Sequence, residues 1–191
     1  MKQKLVMMVC MVVFWVIAGC SSVKVSQDYD PRSPFPHQGT WMWRDQTQPL
    51  TGDIRIDNPL LDRRIRKAVE AGLEERNFHQ QNKSPGFLLV YNLSVEPKIE
   101  AKTYDFMEHW DDCRHPWFGG MGRNVQVYQY DEGRLTLDIL FSGTGDLLWR
   151  GTGIYRFNLD SKTPTEIDAE IQNLVNTILM QFPPTGNFPS R

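Results

Sequence analysis

Three runs of alternating apolar residues constrain this chain more than any other feature. Phe87, Leu89, Tyr91, Leu93 and Val95 share one parity, as do Leu135, Leu137, Ile139 and Phe141, and then Leu147, Trp149, Tyr155 and Phe157. Successive side chains of a strand point to opposite faces, so each run predicts a strand with one buried face and one wet face. The loop Ser142-Gly143-Thr144-Gly145-Asp146 joins the second run to the third as a hairpin. Asp131-Glu132-Gly133 reads as a turn that feeds residues 125–130 into the same sheet. Gly151 and Gly153 interrupt the third apolar face, which predicts either a bulge or a helix packed closely overhead. Residues 23–27 and 40–44 read as shorter strands, and Pro31, Pro34, Pro36 and Pro49 keep the rest of 30–53 extended or looped.

Two stretches switch to the helical period. Leu61, Ile65, Ala68, Val69, Gly72 and Leu73 follow the i, i+4, i+7, i+8 series of one face. Asp57 or Asn58 caps that helix, with Pro59 in the first turn. Arg63, Arg64, Arg66 and Lys67 fall mostly on the other side and read as a solvated face paired with glutamates, rather than as a site for anionic lipid. Ile167, Ile171, Leu174, Val175, Ile178, Leu179 and Phe182 repeat the pattern behind the capping box of Thr163-Pro164-Thr165-Glu166. Pro183 and Pro184 stop this helix, and the tail 183–191 reads as loose. One-sided helices and a one-sided sheet bury each other, which predicts an α+β two-layer sandwich: a mainly antiparallel sheet with two helices on one face.

The first twenty residues carry a different message. Lys2 and Lys4 precede an unbroken apolar run from Leu5 to Ala18. As a helix that run rises only about 21 Å, against about 30 Å of hydrocarbon, so a signal peptide fits better than a membrane span. Ile17-Ala18-Gly19-Cys20 resembles the lipobox of bacterial lipoproteins. The resemblance implies cleavage after residue 19, a diacylglyceryl group on the Cys20 thiol and an acyl (palmitate-type) chain on its amino group, which together anchor stably. Ser21 and Ser22 follow without an aspartate, a pattern that in such lipoproteins accompanies export to the outer membrane. The expectation is a signal peptide at 1–19 and one lipid-anchored domain at 20–191, on the periplasmic side of the outer membrane. Of the three cysteines Cys10 leaves with the signal and Cys20 carries lipid, so Cys113 has no partner for an intramolecular disulfide. The formal net charge of −2 gives no electrostatic pull toward nucleic acid.

Several segments point to a family. Asn58-Pro59-Leu60-Leu61-Asp62-Arg63-Arg64-Ile65-Arg66 resembles the first-helix signature of envelope lipoproteins carrying the domain of unknown function 4136. Tyr130-Asp131-Glu132-Gly133-Arg134-Leu135-Thr136-Leu137-Asp138, Leu148-Trp149-Arg150-Gly151-Thr152-Gly153, Phe182-Pro183-Pro184 and the early Val23-Lys24-Val25-Ser26-Gln27-Asp28-Tyr29-Asp30 are similar to its other motifs. These motifs are structural, and the resemblance brings no reaction and no catalytic residue.

Residues 100–124 depart from a simple strand–turn–strand layout and read as a loop insertion. His109, Cys113 and His115 lie there, with four carboxylates within 105–115, a donor set suited to zinc or copper or to redox work. No C-x-x-C or H-E-x-x-H spacing is present, and no spacing supplies the orienting group and oxyanion site that a cysteine nucleophile needs. Tyr104, Phe106, Trp110, Trp117 and Phe118 read either as a cover folded over the sheet or as a sticky contact surface. Gly119-Gly120-Met121-Gly122 is followed by a strand, so the helix N-terminus of a phosphate loop is missing. Asn92-Leu93-Ser94 lies inside a predicted strand, and its match to a glycosylation acceptor reads as chance. The expected function is non-catalytic binding or scaffolding at the envelope, with the membrane and an envelope protein as partners, no cofactor and no nucleic acid. The alternative is metal or redox work through His109, Cys113 and His115.

Overall fold

Each alternating run becomes a strand, and the helical stripes become two amphipathic helices that cover one sheet face. The computed structural model of the protein describes residues 23–31, 35, 38–44, 48, 50–107, 121–158 and 161–184, with the backbone alone at 105–107 and 121–123. Along these residues the elements run β1 (Lys24–Tyr29), β2 (Gly39–Trp43), α1 (Pro59–Glu74), β3 (Phe78–Gln80), β4 (Phe87–Met107), β5 (Met121–Phe141), β6 (Leu147–Phe157) and α2 (Pro164–Leu179). The strands form one six-stranded sheet in the order β1-β6-β5-β4-β2-β3. β2 pairs in parallel with β3 and β4, and the other pairings are antiparallel. The fold is α+β with a mixed, mainly antiparallel sheet.

Local chemistry sets the helix boundaries. The Asn58 side chain accepts the Leu60 N–H at 2.8 Å and caps α1, with Pro59 in the first turn where its missing N–H costs nothing. Asp57, the other candidate cap, instead accepts the N–H groups of Thr51 and Gly52. On α2, Thr163 and Glu166 form both halves of the capping box. The predicted stripes are the buried ones: Leu61, Ile65, Ala68, Val69, Gly72 and Leu73 on α1, and Ile167, Ile171, Leu174, Val175, Ile178 and Leu179 on α2. Burial of a large aliphatic side chain is worth about 1.5–3 kcal/mol. An exposed pair such as Lys162–Glu170 supplies about 1 kcal/mol at most, so packing decides where these helices lie.

The glycines of β6 answer the question the sequence leaves open. A Cβ on Gly153 would stand 2.6 Å from Leu174 and 2.8 Å from Ile178, and one on Gly151 would stand 2.6 Å from Ile178 and 2.2 Å from the Trp149 ring. The helix does pack closely overhead, and the bare backbone is what lets it down. A register shift exists, but elsewhere: Ile139 faces Trp149 while Leu140 faces Leu147. The strand ends there leave the core, with Leu147 44% and Phe141 45% exposed.

Three expectations are corrected. Asp131-Glu132-Gly133 is not a turn: it lies within β5, which runs unbroken from Met121 to Phe141 and pairs with β4 throughout. Gly133 serves packing, since a Cβ there would meet the Tyr155 ring at 2.7 Å. Nor is 100–124 a loop at its ends, because 100–107 belong to β4 and 121–124 to β5. At the C-terminus Pro184 is fully buried, so the tail expected to be loose from Pro183 is packed at its start.

Candidate functional site

The long hairpin of β4 and β5 outruns the rest of the sheet. The two strands pair from Phe87↔Phe141 to Met107↔Met121. On one side β6 accompanies β5 only from Asp131 upward. On the other, β2 accompanies β4 only at Phe87–Leu89, after which the Gln48 amide clasps Leu93 by accepting its N–H (3.1 Å) and donating to its C=O (3.0 Å). From Lys98↔Tyr130 outward the two strands therefore project as a ribbon of ten rungs, about 34 Å long. Among the described residues no further strand pairs with either edge of this arm, so both present backbone groups outward.

Strand periodicity gives the arm two unlike faces. Ile99, Ala101 and Thr103 share a face with Val125, Val127 and Gln129, and this face continues the core face of Leu93 and Leu135 beyond the reach of the helices. Ile99 is 74%, Val127 65% and Val125 55% exposed. The opposite face carries Lys98, Glu100, Lys102 and Tyr104 on β4, against Tyr128 and Tyr130 on β5. Here Lys98 pairs with Glu96 at 2.9 Å, and Arg156 reaches Glu100 at 3.0 Å while lying 4.4 Å over the Tyr130 ring. The Glu96 carboxylate is held below its usual range by its hydrogen bond from Lys98, whose own pKa rises for the same reason. Arg55 ties the root down: its guanidinium bridges Asp53 at 2.6 Å and Asp131 at 2.5 Å and lies 5.8 Å over Phe157.

A second cluster lies where α1 meets the β2–β4 edge. Arg66 pairs with Asp62 at 3.0 Å and stacks 4.5 Å over the Trp43 ring. The Trp43 indole donates to Glu70 at 2.9 Å, and the Tyr91 hydroxyl donates to Asp62. Burial, and then that bond to Asp62, push the Tyr91 hydroxyl well above its ordinary pKa. Each charged member is engaged by a neighbour, so the cluster locks α1 to the sheet. Next to it, a cleft of about 240 Å³ is bounded by Leu50, Ile56, Pro59 and Tyr91. A further groove of about 260 Å³ runs along the outer side of α1 and α2 past Arg63, Arg64 and Lys67. The helix cations take aspartates rather than the expected glutamates, Arg64 with Asp168 at 2.6 Å and Arg66 with Asp62.

Of the residues singled out from sequence, Tyr104 stands on the charged face of the arm, 48% exposed. Phe106 is in strand β4, paired with Gly122. Cys20, His109, Trp110, Cys113, His115, Trp117 and Phe118 lie outside the described residues. Among the described residues no cluster of three His, Cys, Asp or Glu side chains is placed to hold a metal ion, and no helix is long and apolar enough to cross a membrane. Sequence reasoning missed Ile99, Val125 and Val127. Their alternation is visible, but Pro97 and the charges of Glu96, Glu100 and Lys102 obscure it.

Sheet, helices and arm together define a small two-layer α+β domain with a projecting β-ribbon. The sequence profile of the family described as "Domain of unknown function (DUF4136)" matches residues 25–184, and the chain belongs to that family. Among solved structures, a PDZ domain protein from Parabacteroides distasonis ATCC 8503 aligns at 13% identity with a TM-score of 0.49, over 86% of this chain and 36% of that one. This chain thus spans about a third of that protein's length. The PelC dodecamer from Paraburkholderia phytofirmans aligns at 9% identity with a TM-score of 0.45, over 82% of this chain and 94% of that one. No curated protein matches the chain.

Proposed function

We propose that this protein is a lipid-anchored cell-envelope protein, held through Cys20 on the periplasmic side of the outer membrane, that binds or scaffolds and catalyses no reaction. The arm is the observation that carries the reading. Ile99, Val125 and Val127 stand exposed on a ribbon whose edges are both open among the described residues, and soluble proteins retain such surfaces mainly where they make contacts. An isolated two-stranded ribbon is marginal in water, so a partner that covers it stabilises it. The anchor suits that role: Cys20 lies four residues before β1, so the folded domain is held close to the leaflet.

The mature N-terminus and the membrane fraction test this together. Mass spectrometry of detergent-extracted protein is expected to show a chain beginning at Cys20 with acyl mass added, and gradient fractionation to place it with outer membranes. Retention of residues 1–19, or recovery in the soluble fraction, defeats the proposal.

A further inference from the structure

Strand register relates the anchor to the arm. Lys24 pairs with Ile154, and Ile154 pairs with Arg134, so β1 begins four rungs from the first rung of the arm. β1 then runs away from the arm, since Tyr29 pairs with Trp149 and Trp149 with Ile139. The N-terminal end of β1 therefore lies on the arm's side of the sheet. From Lys24 back to Cys20 the chain reaches at most about 14 Å. The outermost rung, Met107↔Met121, is thirteen rungs from Arg134, about 44 Å along the same direction.

The arm thus outreaches the tether by about 30 Å, which is about the thickness of the hydrocarbon core. Pointed straight at the leaflet, it would have to cross that core with two unpaired edges, which hydrocarbon does not tolerate. Lying along the surface avoids that crossing and keeps the arm within reach of the lipid. One face carries Ile99, Val125 and Val127, while the other carries Lys98, Glu100 and Lys102, paired or stacked in water.

We propose that the arm lies along the leaflet holding the Cys20 anchor and docks its apolar face, Ile99, Val125 and Val127, into the lipid interface. The proposal rests on the lipid-anchor reading above. A contact this small is weak by itself, but the tether makes it intramolecular, at an effective concentration in the millimolar range. Water remains in the interface, so the backbone groups of both edges stay hydrated there.

The test uses the full lipoprotein carrying Cys113→Ser, reconstituted into vesicles of phosphatidylethanolamine and phosphatidylglycerol. An environment-sensitive fluorophore is placed at Val127→Cys or, on the opposite face, at Gln126→Cys. The pair Ile99→Cys and Lys98→Cys repeats the comparison on the other strand. The probes at 127 and 99 are expected to be quenched by spin-labelled lipid and shielded from aqueous iodide several-fold better than those at 126 and 98. Equal iodide access on both faces of the acylated protein overturns docking while leaving the anchor intact. Shielding that grows with protein-to-lipid ratio and ignores the lipid quencher also overturns it, because a second copy then covers the face. The N-terminal mass of the same sample reports the anchor separately, and an unacylated chain removes the tether on which docking rests.

Discussion

Single residues hold this fold at its joints. Arg76 donates to Gly72 O of α1 at 2.6 Å and to Leu179 O of α2 at 3.0 Å, so one guanidinium satisfies terminal carbonyls of both helices. Burial lowers its pKa below the ordinary arginine value. Arg76→Ala removes both bonds, leaving Leu179 O with only the Phe182 N–H at 3.0 Å, and is expected to cost about 1–3 kcal/mol, seen as a lower denaturation midpoint with an unchanged slope. Asp57 acts on a loop in the same manner, accepting N–H groups from Thr51 and Gly52 at about 3 Å. Those bonds, led by Thr51, hold its carboxyl below the usual aspartate range. A depressed folded-state pKa means its contribution is present above pH of about 4 and is lost as pH falls through the lower folded value. Amide exchange at Thr51 and Gly52 is therefore expected to lose protection in that acidic window, and Asp57→Asn to flatten the dependence. An unchanged profile in the variant refutes the assignment.

At the scale of elements, the helices were legible because burial and capping chemistry agree residue by residue. Thr163→Ala removes half of the capping box and is expected to cost about 1 kcal/mol, measured by thermal or denaturant unfolding. Gly151 and Gly153 were legible as an interruption, though only the packed helix decides which cause applies. Gly151→Ala sets a methyl against Ile178 and the Trp149 ring, whose indole is fixed by its 3.0 Å bond to Gln27. That overpacking is expected to cost about 1–3 kcal/mol. The misreading at 131–133 has a physical origin, since Asp-Glu-Gly is turn chemistry in isolation. Here Asp131 is engaged by Arg55 and Gly133 makes room for Tyr155, so tertiary contacts override local preference. The arm is hidden for a related reason: sequence patterning reports strands that bury a face against their own fold, and the described residues of this ribbon bury neither.

For the whole molecule, the separation between core and arm yields the sharpest test of how the fold is divided. Every buried apolar residue of β4 lies at or before Leu93, and every one of β5 at or beyond Leu135. Among the described residues the arm therefore contributes no side chain to the core that α1 and α2 cover. Because Pro97 and Asp131 face each other across the ladder, residues 98–130 can be replaced by a short turn without moving the strands below. The excised protein is expected to unfold within about 0.5 kcal/mol of the parent, as surface changes usually do. Leu137→Ala, at a fully buried position between the layers, is expected to cost about 2–5 kcal/mol. Equilibrium unfolding of the three proteins decides the matter, because a large loss on excision makes the arm part of the folding unit. If stability survives, the arm is free to serve contact alone, and membrane shielding in the lipidated protein should vanish with it while the helices and core remain.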